Sequence, residues 1–103
     1  MPAIAALILA QGVTGDSFAA EAPEELGKQL FTGAASPPCA VCHTLSDAAA
    51  EGAIGPNLDE LKPDLERVKK VVRGGMGAMP PYDTLSDEEV DALGIYVSTV
   101  TTK

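Results

Sequence analysis

Residues 39–43 read Cys-Ala-Val-Cys-His, and these five positions constrain the fold more than any other stretch of the chain. On a helical turn, positions i, i+3 and i+4 share one face, so two sulfurs and an imidazole can converge on one side of a flat ligand. A Cys-x-x-Cys-His run is the attachment signature of a c-type haem: the two thiols form thioethers with the porphyrin vinyl groups, and the adjacent histidine ligates the iron. Cys39, Cys42 and His43 are therefore the first candidate site residues, and one covalently attached haem c is the candidate cofactor. Competing readings of the cysteine pair are weaker. Zinc needs four ligands, and two Cys with one His leave carboxylates to complete the set. A thioredoxin-like disulfide wants a strand-to-helix setting in an α/β chain, and strands are not evident. A plain structural disulfide leaves His43 without a purpose.

Composition agrees with a cofactor-centred domain. At 103 residues the chain makes one small domain, where a core of side chains alone is marginal, and with 4% aromatic residues and no Trp it lacks large core-filling groups. A net charge of -8, from 15 acidic and 7 basic residues, argues against a nucleic-acid partner and permits attraction to a basic protein surface. Five of the seven basic residues, Lys62, Arg67, Lys69, Lys70 and Arg73, fall in one stretch, while Asp83, Asp87, Glu88, Glu89 and Asp91 form a later acidic run. That order predicts an electrically asymmetric molecule.

Residues 1–22 read as an N-terminal arm or the remnant of a signal peptide. Residues 3–10 are apolar and Ser17-Phe18-Ala19 has a cleavage-site character, but no Lys or Arg precedes the apolar stretch, which is also too short to span a bilayer. From Pro23 the pattern turns helical. Pro23 suits a first helical position, Glu24 and Glu25 suit the positive end of the helix dipole, and Gly33 can close a helix expected over about 23–32. Gly27 and Phe31 lie on a neighbouring face, where a glycine notch beside an aromatic ring admits a second helix or merely weakens the first. Leu65, Val68, Val71 and Val72 predict a helix over about 63–73, with Pro63 at its first position and Gly74-Gly75 at its end. The basic cluster reads as its solvated face, with a haem-propionate role for Arg67 or Arg73 as a second reading. Ser86 and Glu89 make a capping box for a last helix over about 87–99, whose Leu93 and Tyr96 can meet Gly27 and Phe31.

Between these helices lie two loops of chemical interest. A ligating histidine donates its other ring proton to an oxygen that fixes the ring, and the Pro56 carbonyl in Gly55-Pro56-Asn57-Leu58 is a candidate acceptor; an ordinary Gly-Pro turn is the other reading. The second loop, Gly74-Gly75-Met76-Gly77-Ala78-Met79-Pro80-Pro81-Tyr82, excludes a regular helix or central strand. A thioether is a soft ligand that favours ferrous iron, and Met79, followed by two prolines, is preferred to Met76 as the second axial ligand beside His43.

Taken together, these elements resemble the class I c-type cytochromes, small all-α monohaem proteins. The resemblance runs from about residue 23 to the end, and rests on the Cys39–His43 motif, Gly27 with Phe31, the Gly55–Leu58 loop, Met79-Pro80, and Leu93 with Tyr96, all in family order. It implies a domain over 23–103 with three main helices wrapped around one haem, Pro56 as the acceptor for His43, and Met79 as the axial methionine. It also implies an exported, periplasmic electron carrier rather than an enzyme, similar to short bacterial carriers paired with dehydrogenases such as sulfite dehydrogenase. Expected partners are a dehydrogenase donor and an acceptor such as a terminal oxidase, met by a monomer in transient complexes through an apolar rim near Ala40, Val41, Pro80 and Pro81. Two other readings stand beside it: an electron-transfer subunit of a dehydrogenase complex, and a haem enzyme or gas-binding protein with a labile methionine. The chain departs from the family in lacking a Trp to bond a propionate and in residues 1–22, which match nothing in the family core.

Overall fold

Helix termini in this chain follow their capping chemistry closely. In the computed structural model, which describes residues 22–103, α1 spans Pro23–Gln29 with Pro at its start and Glu24 and Glu25 in its first turn. The arm or signal remnant expected over 1–22 lies outside the described residues but for Ala22. The first helix does not stay α-helical to residue 32. It widens into a π turn over Leu30–Ala34, where the Ala35 N–H reaches back to the Leu30 carbonyl at 3.1 Å and Leu30 and Phe31 are both buried.

Two short antiparallel strands, β1 (Thr44–Leu45) and β2 (Ala50–Glu51), pair Thr44 with Glu51 and Leu45 with Ala50. They lie outside the all-helical expectation, and they turn the chain back on itself directly after His43. Helix α2 (Leu58–Leu61) was also not anticipated; Asn57 caps it by accepting from the Glu60 N–H at 3.3 Å. Helix α3 spans Leu65–Gly74 rather than starting at Pro63, because the Asp64 carboxylate accepts from the Arg67 N–H at 2.8 Å and so takes the N-cap. Helix α4 spans Asp87–Val100 behind the Ser86/Glu89 capping box, as the sequence predicts.

The described domain is thus mostly helical, and α4 packs against both α1 and α3. At the α1–α4 crossing Gly27 is buried, and a Cβ there would stand 2.3 Å from the Ala92 carbonyl oxygen and 2.5 Å from Tyr96 Cβ. The notch reading of Gly27 is the one the structure takes. Beside it, Phe31 meets the Tyr96 ring edge-on, with centroids 6.1 Å apart. The Tyr96 hydroxyl donates to Asp47 Oδ2 at 2.6 Å, and Lys28 lies 3.6 Å from the same oxygen. The Tyr96 hydrogen bond above all, and then Lys28, hold the Asp47 carboxyl below the usual carboxylate range. This tie is complete above that range and is lost as pH falls through the lowered value.

On the other side of α4 the charges interlock. Lys69 pairs with Asp91 at 2.7 Å, and Arg73 pairs with Asp87 while donating to the Leu85 carbonyl at 3.1 Å. Two members of the basic run therefore pair with two members of the acidic run across this helix pair.

The crossing generates a direct test. Replacing Gly27 by Ala adds about 1 kcal/mol of helix propensity, but the new Cβ meets backbone that cannot yield without separating the helices, at a cost of about 3 kcal/mol. Gly27→Ala should be net destabilising, lowering the melting temperature of the holoprotein by about 10 °C in a calorimetric scan.

Candidate functional site

The segment 39–43 forms a tight 3₁₀ turn over Cys39–Val41, closed by the Cys42 and His43 N–H groups, both donating to the Cys39 carbonyl at 3.1 and 3.0 Å. This turn brings both sulfurs and the imidazole onto one wall of a cavity of about 330 Å³. The opposite loop contributes Met76 and Met79, and α3 contributes Val68, Val71 and Val72, so the cavity has apolar walls with a few sulfur and nitrogen groups among them. The two sulfurs are not joined in a disulfide. Burial pushes the Cys39 thiol up to about 11, so it is protonated at neutral pH and unlike the low-pKa cysteine of a redox dithiol. Among the described residues no cluster of three or more His, Cys, Asp or Glu could hold an ion.

His43 is oriented from behind. Its Nδ1 lies 2.8 Å from the Pro56 carbonyl oxygen. A carbonyl only accepts, so Nδ1 carries a proton, and in the neutral ring the lone pair that a metal ligand requires is on Nε2. The β1–β2 hairpin makes this contact by folding residues 44–54 out of the way, and the Gly55 N–H donates to the Cys42 carbonyl at 2.7 Å. Gly55 lies against the imidazole: a Cβ there would sit 2.6 Å from His43 Cε1 and 2.9 Å from Nδ1. This close approach was not read from the sequence, where Gly55 looked like half of a turn.

The methionine loop begins at Gly75, whose positive φ turns the chain out of α3. It then forms a two-residue hairpin in which the Met76 and Met79 backbones exchange both hydrogen bonds, at 3.0 and 2.9 Å. Gly77 takes the positive-φ position that such a turn requires. Met79 is half-buried and packs against the core, whereas Met76 is 64% exposed. The two arginines considered for an acidic partner also separate. Arg73 is engaged with Asp87 and Leu85, while Arg67 lies on the cavity wall with no hydrogen bond or ion pair to its guanidinium among the described residues.

These residues fit a flat apolar macrocycle carrying one metal: two thiols, an imidazole and two thioethers line one largely apolar cavity. The family model described as "Cytochrome C oxidase, cbb3-type, subunit III" matches residues 22–97. The chain belongs to the class I c-type cytochromes. It is 34% identical over 80 residues to cytochrome c6 of Bryopsis maxima, covering 71% of this chain and 86% of that protein. It also superposes on the crystal structure of the c-type cytochrome SorU from Sinorhizobium meliloti with a TM-score of 0.76 and 53% identity, covering 79% of this chain and 93% of that one. As a c-type cytochrome it binds haem c covalently and carries electrons; it is not an enzyme. No described helix is long and apolar enough to cross a membrane.

The close fit of Gly55 to His43 makes a prediction about this cytochrome. Gly55→Ala should displace the imidazole from Pro56, so that the Nδ1 proton exchanges with solvent faster than in the wild type in the NMR spectrum. The overpacking should also cost about 2 kcal/mol in chemical denaturation.

Proposed function

We propose that this cytochrome is a single-electron carrier with a six-coordinate haem, with Cys39 and Cys42 as the thioether sites and His43 and Met79 as the axial ligands. Pro56 is the acceptor that orients His43. The observation that carries this reading is the convergence of Cys39, Cys42, His43 and Met79 on one cavity, with the His43 Nδ1 engaged 2.8 Å from the Pro56 carbonyl. The half-burial of Met79 against the exposure of Met76 supports Met79 as the ligand.

Bound haem c supplies reversible one-electron chemistry at its iron. The chain's residues decide that no other chemistry follows. His43, held in one tautomer, cannot rotate away from its ligating orientation without losing the Pro56 bond. Met79 offers a neutral, polarizable sulfur that favours the ferrous state and raises the potential. With His43 and Met79 both holding the iron, no open site would remain for a substrate. Val41, 57% exposed, and the exposed Pro80 lie beside this site and provide an apolar surface for brief docking.

The donor in this reading is a dehydrogenase, and the acceptor is a terminal oxidase or another cytochrome. The periplasm is the compartment that fits, because proteins with haem attached through thioethers are characteristically exported.

Spectroscopy of the purified holoprotein tests the ligand set. Met79→Ala should abolish the methionine-to-ferric-haem charge-transfer absorption, and Met76→Ala should leave it; the reverse result reassigns the ligand. Carbon monoxide provides a second check. The reduced wild type should resist it at neutral pH, and rapid binding would replace the carrier with a protein that has an open coordination site.

A further inference from the structure

The hairpin that presents Met79 is held to the rest of the domain by the packing of Met79 rather than by backbone hydrogen bonds of its own. Among the described residues, the backbone hydrogen bonds of Met76 and Met79 run only to each other. Arg73 closes the loop at its base, through Leu85 and Asp87, and does not reach the hairpin. The tie nearest to Met79 comes three residues later. Tyr82 is buried, its N–H donates to the Val72 carbonyl at 2.8 Å, and its hydroxyl donates to the Pro37 carbonyl at 2.7 Å. Pro37 stands two residues before Cys39, so this one side-chain bond joins the loop bearing the methionine to the segment bearing the first cysteine. Between Met79 and Tyr82 lie Pro80 and Pro81, whose rings fix φ and make the connection stiff. A displacement of Met79 out of the cavity is therefore passed on to Tyr82 rather than absorbed between them.

We propose that Tyr82 is a positioning residue for Met79, and that its hydrogen bond to the Pro37 carbonyl is a latch that sets how readily Met79 gives way to an outside ligand. The proposal rests on the assignment of Met79 as the axial ligand. The latch is insensitive to ordinary changes of pH, since burial pushes the Tyr82 hydroxyl up to about 12. Its effect is local, because the bond restrains the hairpin and not the helix crossing.

Imidazole titration of the ferric holoprotein tests this, read as loss of the methionine-to-iron charge-transfer absorption. Tyr82→Phe keeps the ring and removes the latch, and should lower the imidazole Kd roughly 5- to 10-fold, the weight of one net hydrogen bond. Tyr96→Phe is the matched control, since it removes another tyrosine hydrogen bond, the 2.6 Å bond to Asp47, away from the loop. It should lower the melting temperature and leave the imidazole Kd at the wild-type value. An unchanged Kd in Tyr82→Phe, or an equal shift in Tyr96→Phe, would overturn the latch. A wild type without the charge-transfer absorption, or its survival in Met79→Ala, would instead overturn the ligand assignment and the latch with it.

Discussion

The close approach of α1 and α4 at Gly27 is the contact on which the rest of this domain depends. The chain has few aromatic side chains, 4% of its residues, and many of its apolar ones stand around a central cavity instead of filling a core. The wall must then be held together by contacts on its outer side. Gly27 lets the two helices meet backbone to backbone, Phe31 and Tyr96 fill the angle beside it, and Leu30, Leu93 and Val97 carry the packing inward. The Tyr96 hydroxyl extends the contact to Asp47, in the segment that follows His43. One crossing thus reaches from the chain's last helix to within a few residues of the haem-attachment motif.

From that frame the site is assembled by short pieces with little regular structure. A single 3₁₀ turn aligns Cys39, Cys42 and His43, and a four-residue ladder folds the next segment back so that Gly55 and Pro56 face the imidazole. Asp59 secures this return by accepting from both the backbone N–H and the hydroxyl of Ser46, at 2.9 and 3.0 Å. These pieces are ordered by specific hydrogen bonds more than by buried area. Such order suits a site whose ligands must keep their positions while charge at the metal changes.

Local chemistry was the part of the structure legible in the sequence. The i, i+3, i+4 spacing of residues 39–43, the Ser86/Glu89 box and the glycine–aromatic pairs of the terminal helices each encode their geometry within a few residues. The all-α class and the course of three helices followed from them. Where two local signals compete, the pattern misleads: Pro63 suits a helix start, but Asp64 beside it supplies a side-chain acceptor and takes the cap. The π turn after Gln29 leaves no mark in the sequence, because its wider spacing is set by burying Leu30 and Phe31 against α4 and the cavity. The nearness of Pro56 to His43 was only one of two readings of a Gly-Pro turn until the family pattern favoured it. The Tyr82–Pro37 bond was invisible, since its partners are 45 residues apart and neither belongs to a periodic element.

The pairing of α3 with α4 also bears on how this cytochrome meets other proteins. Lys69 and Arg73 are paired with Asp91 and Asp87, and the Lys62 ammonium donates to the Thr101 carbonyl at 2.9 Å, so three of the five basic side chains of the stretch are engaged within the molecule. At a distance the molecule presents a negative excess, of net charge -8. Such an excess attracts a basic surface before contact forms. Selection of the productive orientation is left to the last few ångströms, where the shape of the apolar rim decides which encounters pass an electron.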